Sequence, residues 1–124
     1  MLLGLLVSLG VITAQAKVTS PNINPQPTDI PSAIIYWADY YKVPADTLFR
    51  VANCESGLRQ NRADGYPVLG QDQEIGIYQF KPRTFYGYAK EIGLENPNIT
   101  SWQDQTRVAS WAFSKGKQGT WTCK

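Results

Sequence analysis

The 124-residue chain has no histidine, only two cysteines and no run of Lys or Arg longer than two. Without imidazole there is no Ser-His-Asp or Cys-His nucleophile, no His-ligated zinc and no histidine acid–base chemistry. Two thiols cannot build a four-thiolate metal site either, so neither a metal nor a cofactor is expected. The proton-transfer groups that remain are the carboxylates, with Tyr and Lys behind them. Twelve Lys plus Arg against ten Asp plus Glu leave a net charge of +2. A balance that mild and that scattered gives no footprint for nucleic acid, although it is compatible with an acidic polymer as partner. The length sets one domain as the expectation.

Met1 to Thr13 is largely apolar and is followed by Ala14-Gln15-Ala16, a small-x-small pattern. Residues 1–16 read as a secretory signal peptide, too short for the roughly 18 or more residues of a spanning helix. The α-amino group is the only positive charge ahead of the apolar run. Residues 17–28 carry three prolines and no apolar periodicity, which marks a Pro-rich linker. The folded unit is then 29–124, secreted and either periplasmic or associated with the cell wall, with no membrane span once the leader is removed. In an exported protein Cys54 and Cys123 read as a disulfide. Closing a loop of about 70 residues stabilises a fold by roughly 4 kcal/mol on the chain-entropy model.

From Asp29 the pattern turns helical: Thr28 or Asp29 can cap, Pro31 suits a first turn, and Ile30, Ile34, Trp37 and Tyr41 share a face. Lys42-Val43-Pro44 breaks this helix, and a second begins near Ala45. Its apolar stripe runs Leu48, Val51, Ala52, and the next position on the stripe is Glu55. A carboxylate on a core-facing stripe, in the last turn before Gly57, is disfavoured as an anion by burial and by the negative end of the helix dipole. A carboxylic acid that stays protonated near neutral pH is what general-acid catalysis requires. A third helix is expected over Arg83 to Ile92, with Phe85 and Ala89 inward and Gly93 as its stop. A fourth follows Ser101, which with Asp104 approximates a capping box. Its alanines, Ala109 and Ala112, are expected to pack closely on the helix that carries Glu55.

Between the second and third helices lie Cys54-Glu55-Ser56-Gly57-Leu58, a turn-rich stretch with Asp64-Gly65, Pro67 and Gly70, and then Glu74-Ile75-Gly76-Ile77-Tyr78-Gln79-Phe80. In these residues the chain resembles the lysozyme-like superfamily and, within it, the soluble lytic transglycosylase type of domain. That family has a catalytic Glu followed by Ser at a helix end, then a Gly-Leu-Met-Gln-like motif. The matching positions here are Glu55-Ser56 and Gly76-Ile77-Tyr78-Gln79, and the likeness runs from about 29 to 116. The family's Ala-x-Tyr-Asn-x-Gly-like segment becomes Ala112-Phe113-Ser114-Lys115-Gly116, with Phe and Ser at the two polar positions.

The resemblance implies a small, mainly α (α+β) lysozyme-like fold with a short β-hairpin between the Glu55 helix and the Gly-x-x-Gln motif. It implies a monomer acting on peptidoglycan glycan strands, with Glu55 catalytic and Ser56, Gly76, Tyr78 and Gln79 substrate-binding. Gly76 permits close approach of a sugar to the backbone, Tyr78 offers a flat face, and Gln79 offers a donor and an acceptor. Ile75 and Ile77 are expected in the core. Transglycosylases need one carboxylate, whereas glycoside hydrolysis normally uses two. Asp72 and Glu74 are the candidates for a second, while Asp64 reads as a turn residue. Three readings therefore stand: a lytic transglycosylase, a lysozyme-type hydrolase and a non-catalytic glycan-binding module.

Overall fold

Asp29 opens the first helix from an extended backbone, its Oδ1 accepting the Ser32 N–H at 2.8 Å with Pro31 in the first turn. That bond also holds the Asp29 carboxyl below its ordinary pKa. Helix α1 (Ile30–Tyr41) buries Ala33, Ile34, Trp37 and Ala38 and ends at Lys42 in the left-handed region. Helix α2 (Ala45–Ser56) buries Leu48, Val51, Ala52 and Ser56 and ends at Gly57, whose φ of 68° closes the last turn. Helix α3 (Pro82–Ile92) buries Phe85 and Ala89 and is stopped by Gly93. Helix α4 (Trp102–Ser114) starts at Ser101, whose hydroxyl accepts the Asp104 N–H. Only half of the capping box forms, because the Asp104 carboxylate takes the Asn98 N–H instead. A single 3-10 turn, Gln118–Thr120, precedes the C-terminal strap.

This computed structural model describes residues 27–123. The signal peptide read at 1–16 and all but the last two residues of the linker read at 17–28 lie outside the described residues. Among the described residues the architecture is mainly helical, and no helix is long and apolar enough to cross a membrane.

Two expectations need correction. The first is the β-hairpin: residues 61–80 make only isolated antiparallel bridges, at Asn61–Pro67, Leu69–Ile75 and Ile75–Phe80. Gly65, Gln73, Gly76 and Gln79 all hold positive φ, which bends the chain out of the extended form a paired ladder needs. The second is the packing of α4, which lies chiefly on α1 and also meets α3. What separates α4 from α2 is the segment Ile77–Phe80. Tyr78 spans the gap: its N–H reaches the Gln105 Oε1 on α4 at 2.9 Å, and its hydroxyl reaches the Leu48 carbonyl on α2 at 3.1 Å.

The centre of the core is aromatic. Trp121 stacks on Phe113 at 4.9 Å, meets Phe80 edge-on at 5.3 Å and donates its indole N–H to the Tyr78 carbonyl at 2.8 Å. The strap is thus held by an apolar anchor with its one polar atom satisfied. Ile77 is fully buried, while Ile75 is only partly so.

Candidate active site

The Gly-x-x-Gln segment is held by side-chain amides. Gln60 Oε1 accepts the Ile77 N–H at 3.0 Å, and Gln105 Nε2 donates to the Ile75 and Ile99 carbonyls at 2.9 and 2.7 Å. Both glutamines are buried, and among the described residues no buried side-chain polar atom lacks a partner. Such buried polar groups are tolerable only because each is hydrogen-bonded. Gly76 lies between them at φ 82°, where an added Cβ would collide with the amide ends of Gln60 and Gln105. Gly76→Ala is accordingly expected to destabilise the fold by about 2–4 kcal/mol, from backbone strain plus overpacking. A urea titration would show it as a lower midpoint with unchanged slope.

Ser56 ties this segment to α2. Its hydroxyl lies 2.8 Å from the Ile77 carbonyl and 3.0 Å from that of Ala52, and it accepts the Arg59 N–H at 3.1 Å. The end of the Glu55 helix and the Gly-x-x-Gln turn are therefore one hydrogen-bonded unit.

Above that unit opens a cleft of about 420 Å³ lined by Glu55, Asp72, Glu74 and Gln79, by Lys81, Thr84 and Tyr88 of the α3 wall, and by Thr120, Trp121 and Thr122 of the strap. Glu55 is half-buried. Its burial raises its pKa above the ordinary 4.5, the Cys123 backbone N–H opposes that rise, and the charge of Glu74 adds to it. The strap carrying Cys123 is bound covalently to α2 by the Cys54–Cys123 disulfide, with a Cα–Cα distance of 6.0 Å. The bridge thus anchors the residue whose backbone N–H favours the carboxylate form of Glu55, next to Cys54. Glu74 is itself fixed, its Oε1 accepting the Asp72 N–H at 2.9 Å. Gly70 leaves the room: a Cβ there would strike the Glu74 carboxylate and the Gln79 amide.

The sign of the Glu55–Glu74 coupling is testable without turnover. Glu74→Gln removes a negative charge that favours the protonated form of Glu55, so the Glu55 pKa is expected to fall. A carbon-detected NMR titration of the Glu55 carboxyl reads it directly. An unmoved or raised midpoint would show that the two carboxylates do not communicate.

The structure thus gathers Glu55, Asp72, Glu74 and Gln79 at one cleft and places the other sequence candidates elsewhere. Tyr78 is 0 % exposed, its hydroxyl is engaged and burial pushes its pKa up, so it is a core residue and no platform for a sugar. The close approach that Gly76 permits is to two glutamine side chains, and Ser56 is buried as a tether. Gln79 spends both amide hydrogens on the Val68 and Gly76 carbonyls at 3.1 and 2.9 Å, which leaves its oxygen to receive a ligand. Asp64 is a turn residue as expected, paired with Arg62 at 2.6 Å and held below its ordinary pKa.

Sequence reasoning missed Lys81, Thr84 and Tyr88, whereas the Cys54–Cys123 bridge it expected does bring Trp121 and Thr122 to the site. The first three recur at i, i+3 and i+7, a helical face that carried no apolar signal. Gln105 was legible in principle, since it falls on the inward stripe of α4 where an amide needs a buried partner. Among the described residues no His, Cys, Asp or Glu group is arranged as metal ligands would be.

The fold and site together define a small helical domain with an acidic cleft and a strap fastened by a disulfide. Compared with protein-family models, curated proteins and solved structures, the chain matches none.

Proposed function

We propose that the domain is a peptidoglycan lytic transglycosylase that cleaves the MurNAc-β-1,4-GlcNAc bond with Glu55 as its acid and then its base. The observation that carries this reading is the half-buried Glu55, its proton held more tightly than in an ordinary glutamate, in a cleft wide enough for sugar rings. The Glu-Ser and Gly-x-x-Gln resemblance to lysozyme-like domains points the same way. The Glu55 carboxylic acid gives its proton to the bridging oxygen as the C1–O bond breaks. The resulting carboxylate takes the proton of the muramic 6-hydroxyl as O6 bonds to C1, which leaves a 1,6-anhydro end and consumes no water. The rise in pKa serves the first step, and the Cys123 N–H stabilises the anion between steps. The disulfide suits the oxidising compartment in which such a substrate is found.

A second reading, hydrolysis, draws on Asp72 and Glu74, which line the same cleft as Glu55 and would supply the second carboxylate that hydrolysis uses. Mass spectrometry of sacculus digests separates the two. Anhydro-muramyl ends support the transglycosylase, reducing muramyl ends support the hydrolase, and binding of sacculi without release of any product leaves a glycan-binding module.

A further inference from the structure

Three carboxylates and one ammonium line the cleft: Glu55, Asp72, Glu74 and Lys81. Opposite charges in so small a space commonly pair, yet the Lys42–Asp39 and Arg62–Asp64 ion pairs both lie elsewhere. Glu74 Oε1 is engaged by the Asp72 N–H, and Lys81 stands at the entry to α3, directly after the Ile75–Phe80 bridge. The Lys81 ammonium makes no hydrogen bond or ion pair within the described residues, so its charge is available to a ligand. The wall beyond it is firm: the Tyr88 hydroxyl bonds Thr120 Oγ1 at 2.8 Å, its ring meets Trp111 at 5.6 Å, and Lys117 Nζ lies 5.4 Å from the ring centroid. Besides its carboxylates the cleft therefore holds an ammonium with no ion pair among the described residues and a braced aromatic ring.

We infer that Lys81 is the anion-recognising group of this cleft, taking a carboxylate carried by the glycan and thereby selecting muramyl strands over neutral N-acetylglucosamine polymers. This rests on the glycan-cleaving reading above. Asp72 and Glu74 repel the same carboxylate, which leaves Lys81 as the group in the cleft that attracts it. The carboxylate has two sources, the lactyl ether of a muramic acid without its peptide or the stem peptide itself.

Calorimetric titration on the Glu55→Gln background separates them with three tetrasaccharides: one bearing peptides, one stripped by an amidase so that its lactyl carboxylates are free, and neutral tetra-N-acetylchitotetraose. Adding Lys81→Gln is expected to weaken at least one carboxylated probe by about 5–10-fold, with chitotetraose unchanged and Lys81→Arg restoring most of the loss. A loss confined to the stripped probe assigns the lactyl group, and one confined to the peptide-bearing probe assigns the stem. Affinities for both carboxylated probes within twofold of the parent, or an equal loss on chitotetraose, would overturn the inference. If this pattern appears while the wild type releases nothing from sacculi, the catalytic reading fails and the recognition stands. If the parent binds none of the probes, both fail.

Discussion

Glu55→Gln is expected to cut the release of soluble muropeptides from sacculi by about 10²–10⁴-fold, the span typical of a lost general acid–base. Glutamine keeps the shape and can still accept the Cys123 N–H, but it has no proton to give. The same substitution is expected to leave the fold intact and even to raise its Tm at neutral pH. Glu55 has a folded-state pKa above its ordinary 4.5. Its contribution to stability is therefore fully present below that ordinary value and is lost as pH rises through the raised one. Above that window the folded wild type holds an anion in a partly desolvated place, and the amide relieves it. The Tm difference should thus appear at pH 7 and vanish near pH 3, as scanning calorimetry at the two pH values would register. A Tm that falls on substitution at pH 7 would mean that the anion is welcome where it lies, which is inconsistent with the acid role.

The second large effect concerns the bridge. Replacing Cys54 and Cys123 together with Ala removes a cross-link with a sequence separation of 69 residues, worth about 4 kcal/mol on the chain-entropy model. For a domain of this size that corresponds to a fall in Tm on the order of 15–30 °C. The strap from Thr120 to Cys123 supplies three residues of the cleft wall and the N–H that reaches Glu55, so activity should drop even well below the lowered Tm. Rates measured at a temperature where circular dichroism shows the double variant still folded test the point. Full activity there would confine the disulfide to a purely stabilising part.

How much of this was legible in the sequence depends on the scale of the signal. Helix ends were readable because they rest on local chemistry: Asp29 before Pro31, Gly57 and Gly93 at left-handed stops, Ser101 three residues ahead of Asp104. The placement of Glu55 was readable because a 3.6-residue period carried it onto the stripe of Leu48, Val51 and Ala52. Tyr78 was misread because the resemblance placed it among the substrate-binding residues, where its flat face suited a sugar ring. No strand forms from Ile75 to Phe80, and the positive φ values at Gly76 and Gln79 turn the ring inward. The partners that hold this segment, Gln60 and Gln105, lie 17 and 27 residues from the N–H groups they accept, a distance over which no local pattern extends. Lys81 comes to the cleft by tertiary packing alone, whereas the strap is brought there by the bridge that the two cysteines announced.

The glutamine clamp has one more consequence. Paired strands can slip by a residue, and each slip exchanges the inward and outward faces of everything downstream. Gln60 and Gln105 instead address individual backbone atoms of Ile75, Ile77 and Tyr78, around a glycine that alone fits between their amides. A displaced neighbour would bring a Cβ into that space. The clamp therefore works as an index mark: it permits one alignment of this turn against Glu55 and has no nearby alternative into which the chain could settle.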